Sequence, residues 1–173
     1  DNLVLRSMAL VVSAANLVLL IVAWELMALS SWALVVSDHG DRGVRRAGIQ
    51  YLVAGHLATG ALLLLALCFA AVNGSFAVAP LARGAAISSG LLFMLALIGF
   101  GTKAGIVPMH VWLPDAHTAA PSHVSALMSA VMITMGFYGL CRFIPLLGTP
   151  ALWWGYLLMG LGVSDVRMEQ GSL

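Results

Sequence analysis

Charge is what this chain has least of. Of its 173 residues only 9% are Asp, Glu, Lys or Arg, against roughly 25% in a soluble domain. Two long stretches, Ala47–Ala82 and Gly84–Thr102, contain none at all. Cysteine is equally scarce. Cys68 and Cys141 lie in or near apolar segments, so each reads as a small packing residue rather than part of a disulfide or metal framework. A net charge of +1 with no basic run gives nucleic acid nothing to bind. The balance is made up by apolar residues, at 61% of the chain. They are gathered into runs of about 20, the length a helix needs to cross a hydrocarbon core roughly 30 Å thick. The expected fold is all-α: a polytopic transmembrane helix bundle of about five spans.

Residues 3–15 read as the end of a span whose beginning is missing. A first full span covers residues 16–36 and carries Glu25 near its middle. The polar loop Ser37–Arg46 follows, then a second span over 47–72 containing His56. Residues 73–84 form a loop punctuated by Asn73-Gly74 and Pro80. A third span over 85–107 carries Lys103, and the chain is then broken at Pro108 and Pro114. A fourth span runs from Pro121 to Ile144, and a fifth begins near Ala151 and stops at Asp165. Arg42, Arg45 and Arg46 place the 37–46 loop on the cytoplasmic side, since the next loop holds only Arg83. The Pro108–Pro121 break then falls toward the cytoplasmic half.

The ionisable residues inside the spans carry the chemistry. A charge at bilayer depth costs about 2.5–3.5 kcal/mol on insertion scales, so packing alone does not explain one. Lys103 reads either as an anchor snorkelling to the interface or as a buried functional cation. Gly99, Gly101, Thr102, Ala104 and Gly105 around it are all small, leaving room for water or a neighbouring helix, which snorkelling does not require. GFGTKAG is not a nucleotide loop, because no strand precedes it. Glu25 lies about 11 residues, or roughly 16 Å, from the next loop, too deep for a carboxylate to reach water directly. It is either a protonated structural group or an ion-path residue paired with a cation, for which Lys103 is the candidate. Such a pair can switch. At an effective dielectric near 20, moving a carboxylate from about 10 to about 5 Å changes the lysine's interaction by about 1.7 kcal/mol, more than tenfold in proton affinity.

Proline removes a backbone donor and frees a carbonyl one turn earlier, so broken helices in membranes line protein or water-filled cavities. Ion-coupled transporters use them. His110, Asp115, His117 and His123 lie around this break, and histidine can relay protons near neutral pH. Each can equally serve as a helix cap or structural hydrogen-bond donor, as can His56 alone on its span. The set lacks the ligand spacing of a metal site.

Three stretches, AWELMALSSW (23–32), GFGTKAGIVPMHVWLPDAHTAAPSHVSALMS (99–129) and GFYGLCRF (136–143), resemble the antiporter-like, proton-pumping membrane subunits of complex I, multi-subunit cation/proton antiporters and membrane-bound hydrogenases. The PSHVSALMS variant is most similar to the large antiporter-like subunit of hydrogenase-4 and formate hydrogenlyase. The resemblance implies a fold of about fourteen helices in two inverted repeats, of which this chain covers about five. It implies that Glu25 and Lys103 move protons, possible Na+ coupling included, that no cofactor resides in this chain, and that other membrane subunits supply the redox chemistry in a bacterial inner membrane. Two departures stand out. The hydrogenase-type subunits carry a second lysine in a pattern like MIKTG, where this chain has Thr134. Past Ser164 an apolar helix is expected, but the chain reads DVRMEQGSL. Residues 1–164 are thus read as a partial antiporter-like domain, the first inverted repeat, and 165–173 as an atypical tail of truncation or frameshift origin. Three functions are open: a proton-translocating subunit of a redox-driven complex, a subunit of a cation/proton antiporter, and a non-conducting structural remnant.

Overall fold

The computed structural model describes residues 2–36, 41–82, 87–120 and 122–171 and, within these, all side chains except those of 119, 122, 123, 127 and 165–171. Helix α1 (Asn2–Ser13) turns within three residues into α2 (Leu17–Val35), and the two pack along each other. The turn forms because Asn16 is extended and its side-chain oxygen accepts from the Val18 N–H at 2.8 Å, satisfying one free donor of the new helix. Helix α3 (Arg42–Asn73) follows, capped by Asp41, whose carboxylate accepts from the Gly43 N–H. The cap explains why α3 starts five residues before the expected Ala47. At 32 residues it is about 48 Å long, so its N-terminal turns extend beyond a 30 Å hydrocarbon core.

α3 ends at Gly74, in the left-handed conformation at φ 68°. Asn73 then holds the loop, donating to Pro80 O and accepting from Ala82 N. Residues 76–78 lie against the α1–α2 turn in one antiparallel bridge, Asn16–Ala77, closed by Leu17 N to Phe76 O and Val78 N to Ala15 O. The 37–46 loop falls partly outside the described residues.

Helix α4 (Ser89–Ala104) carries Lys103 in its last turn. Its 16 residues span about 24 Å, short of the hydrocarbon thickness, so the helix ends before it has crossed. The expected span reached residue 107. The helix stops earlier because Gly105 takes a left-handed conformation (φ 73°) and its N–H turns back to Gly101 O and Thr102 O. Residues 105–112 are turns, and α5 (Leu113–Ala119) resumes with Pro114 in its first turn, where proline's missing donor costs nothing. The expected fourth span is not one regular helix. It consists of α6 (Ser122–Leu127), a π-helical turn (Met128–Met132), α7 (Ile133–Phe143) and a 3-10 turn (Ile144–Leu147). α8 (Leu152–Gly171) does not stop at Asp165, since Asp-Val-Arg-Met-Glu-Gln contains no helix breaker before Gly171. Its apolar part ends at Ser164.

Three segments, 17–35, 42–73 and 124–147, are long and apolar enough to cross a membrane, and 2–13, 89–104 and 152–164 are shorter apolar helices. The outer faces show Val22, Ile49, Val53 and Leu57, each more than half exposed, as a lipid-facing bundle requires. α4 is the central helix, packed between α3 and α7. Small residues permit this close approach. A Cβ at Gly99 would strike Leu62 and approach Ala58 O of α3, and one at Gly136 of α7 would strike the α4 backbone at Phe100 and Ala104. Phe100 fills the crossing, edge-on to Trp24 and tilted against Phe143, and Phe93 stacks on Trp154 of α8 at 4.5 Å.

Candidate functional site

Lys103 is the most deeply buried charge among the described residues, only 4% exposed. It is not a snorkelling anchor. Its ammonium donates a short hydrogen bond to the Tyr51 hydroxyl of α3 and lies 5.9 Å from the centre of the Trp112 ring. Tyr51, 3% exposed, packs edge-on against Trp112 at 5.1 Å, with Ser31 of α2 nearby. Ser31 in turn donates to Met27 O at 2.6 Å. Trp112 belongs to the break, and its indole N–H donates to Thr102 O at 2.9 Å, capping the helix that carries Lys103. Beside these groups a cavity of about 10 Å³, room for about one water, is lined by Trp24, Tyr51, Gly55, Ala58, Lys103 and Trp112.

Glu25 stands next to this cavity but not against Lys103. Among the described residues the one ion pair within 4 Å joins Glu25 to His56 of α3, with Oε2 and Nε2 3.9 Å apart. The other Glu25 oxygen, Oε1, is buried without a hydrogen-bond partner. His56 Nδ1 lies 2.9 Å from Leu52 O, and a nitrogen facing a carbonyl must carry the proton. In neutral His56, Nε2 is therefore a lone pair directed at a carboxylate oxygen. Two acceptors face each other, and one added proton on either would join them.

The residues of the break do not gather into one cluster. His110 is half-buried with Nδ1 unpartnered, Asp115 is exposed in the first turn of α5, and His117 Nδ1 meets Ser125 Oγ at 2.7 Å. The side chain of His123 lies outside the described residues. No group of three or more possible metal ligands occurs among the described residues. Thr134 is exposed on α7 and its hydroxyl is taken up by Ala130 O at 2.8 Å, two residues from the Gly136 that faces α4. The interruption runs from Gly105 to Trp112, with Pro108 inside it and Pro114 in the first turn of α5. Tyr51, Ser31 and Trp112 are additions that the ionisable residues alone did not reveal.

Residues 14–168 match the profile of the family described as NADH:quinone oxidoreductase/Mrp antiporter, transmembrane. The chain belongs to this family. It is 39% identical over 168 residues to hydrogenase-4 component B of Escherichia coli K12, covering 93% of this chain and 25% of that protein. It is 34% identical over 169 residues to NADH-quinone oxidoreductase subunit N of Desulfovibrio desulfuricans, covering 90% of this chain and 33% of that one. Among solved structures, a chain of respiratory complex I from Thermus thermophilus superposes with a TM-score of 0.71 at 30% identity, over 81% of this chain and 32% of that chain. This family member thus spans a quarter to a third of the length of these relatives. It is an antiporter-type integral membrane subunit, and its relatives belong to multi-subunit respiratory complexes.

Proposed function

We propose that the chain translocates protons as a subunit of a redox-driven respiratory or hydrogenase complex, with Lys103 as the group that takes up and releases the proton and Glu25 as its electrostatic control. The observation that carries this reading is a lysine 4% exposed in the last turn of a short apolar helix, held by a hydroxyl rather than by an acid. A buried ammonium without a carboxylate in contact loses its proton more readily than one that is paired, so the distance from Glu25 to Lys103 sets proton affinity. Glu25 faces His56 in this conformation, which leaves Lys103 with the hydroxyl alone. Redox chemistry belongs to partner subunits, and no cofactor is assigned to this chain. The same reading puts the protein in a bacterial cytoplasmic membrane with the 37–46 loop facing the cytoplasm.

The test is proton uptake by the assembled complex in proteoliposomes during redox turnover. Lys103→Ala is expected to abolish uptake, and Thr134→Lys to keep or raise it. Uptake unchanged in Lys103→Ala would refute the route. Uptake driven by an imposed sodium gradient without a redox substrate would instead make the chain an antiporter subunit, and turnover without proton movement in the unmodified complex would make it a structural remnant.

A further inference from the structure

The Tyr51 hydroxyl reaches Lys103 where Glu25 does not, and the chemistry of the two partners differs. A carboxylate only accepts hydrogen bonds, so it can take an N–H from lysine in either state but has no proton to offer the lone pair of the neutral amine. A phenol both donates and accepts. With Lys103 charged, Nζ–H donates to Tyr51 Oη, which leaves the Tyr51 O–H free to turn elsewhere, while Ser31 O–H donates to Met27 O. Once Lys103 has given its proton away, Tyr51 O–H can turn to the nitrogen lone pair while Ser31 stays on Met27 O. The hydrogen bonds reverse, no proton passes through Tyr51, and the amine keeps a partner.

We infer that Tyr51 is a positioning residue that holds Lys103 in place in both of its protonation states, itself set by Trp112 of the broken segment. The inference rests on the proposed role of Lys103. Three observations support it. Tyr51 and Lys103 are both almost wholly buried, so bulk water does not compete for the bond. Trp112 packs edge-on against Tyr51 and is tied through its indole to Thr102 O, adjacent in sequence to Lys103, so a movement of the break reaches both partners together. Tyr51 also lies on α3, the helix that carries His56, so one rigid element presents partners to Lys103 and to Glu25.

Tyr51→Phe in the assembled complex is the decisive variant, because phenylalanine keeps the ring against Trp112 and removes only the hydroxyl. Proton uptake per redox turnover is expected to fall about tenfold, the size of one hydrogen bond to a charged group. A second readout is insensitive to mere structural damage: the phenol C–O infrared band of ring-labelled tyrosine in the unmodified complex. It should shift between donor and acceptor positions as pH is stepped, and Lys103→Met should abolish that shift. If Tyr51→Phe takes up protons at the unmodified rate while Lys103→Ala takes up none, Tyr51 has no such role and the Lys103 route stands. If both take up protons normally, the route itself fails. Should Tyr51→Phe not assemble, the infrared band decides, and a tyrosine band indifferent to Lys103 overturns the inference.

Discussion

At the scale of single residues, the site turns on which acceptor has a proton to share. Glu25 Oε2 and His56 Nε2 are 3.9 Å apart, and the Leu52 carbonyl takes the Nδ1 proton, so with His56 neutral and Glu25 ionised no hydrogen bond joins the pair. Replacing the carboxylate by an amide supplies a donor without a charge. Glu25→Gln is therefore expected to fold normally and to bond His56, while proton uptake by the complex falls at least tenfold because Lys103 loses its distant anion. His56→Ala should fall less, and the double variant should be no worse than Glu25→Gln alone if histidine acts only through the glutamate. An additive double variant would mean that His56 serves another route. Glu25 and Lys103 were legible in the sequence because a charge in a long apolar run stands out against its surroundings. Tyr51, Ser31 and Trp112 were not, since a hydroxyl or an indole in such a run is ordinary in a packed helix and only the fold brings Tyr51 to the lysine nitrogen and the other two beside Tyr51.

At the scale of elements, the α4–α7 crossing is set by Gly136 and Gly139, against which the α4 backbone and the Phe100 ring are pressed. A side chain at Gly136 meets backbone, which cannot rotate away. Gly136→Val is expected to destabilise the protein by about 1–3 kcal/mol, as overpacking does, read as a lower unfolding temperature in detergent. Gly155→Ala in α8, where no atom lies within 4 Å of the added carbon, should be neutral or stabilising and serves as the control. The break itself was readable from Pro108 and Pro114. Its starting point was not, because Gly105 rather than a proline ends α4. The π turn at Met128–Met132 was also hidden, since Met, Ser, Ala and Val there fit an ordinary helix equally well. The small residues around Lys103 were read as room for water or a helix, and the helix takes most of that room.

At the scale of the whole molecule, the two ends of the bundle are built differently. At the end where α1 meets α2, Arg142 of α7 reaches across to the last carbonyls of α1, donating to Val11, Val12 and, through a short bond, Ala14. Tyr138 donates to Val12 O at 3.0 Å as well. A cation at a helix C-terminus both satisfies free carbonyls and opposes the helix dipole. Arg142→Leu is expected to cost about 3 kcal/mol, on the order of one or two hydrogen bonds to a charged group. Amide hydrogen exchange should quicken in α1 far more than in α3, and equal quickening throughout would show that Arg142 supports the fold generally rather than this junction.

The Arg142 junction, the Asn16–Ala77 bridge and the Leu81 N to Leu146 O bond all fall at that same end, while the end of α4 and the turns after it lie at the other. In mechanical terms these three ties act as a clamp at one face of the bundle. Under the proposed function, a push at the opposite face reaches Trp112 and Lys103 without passing through that clamp.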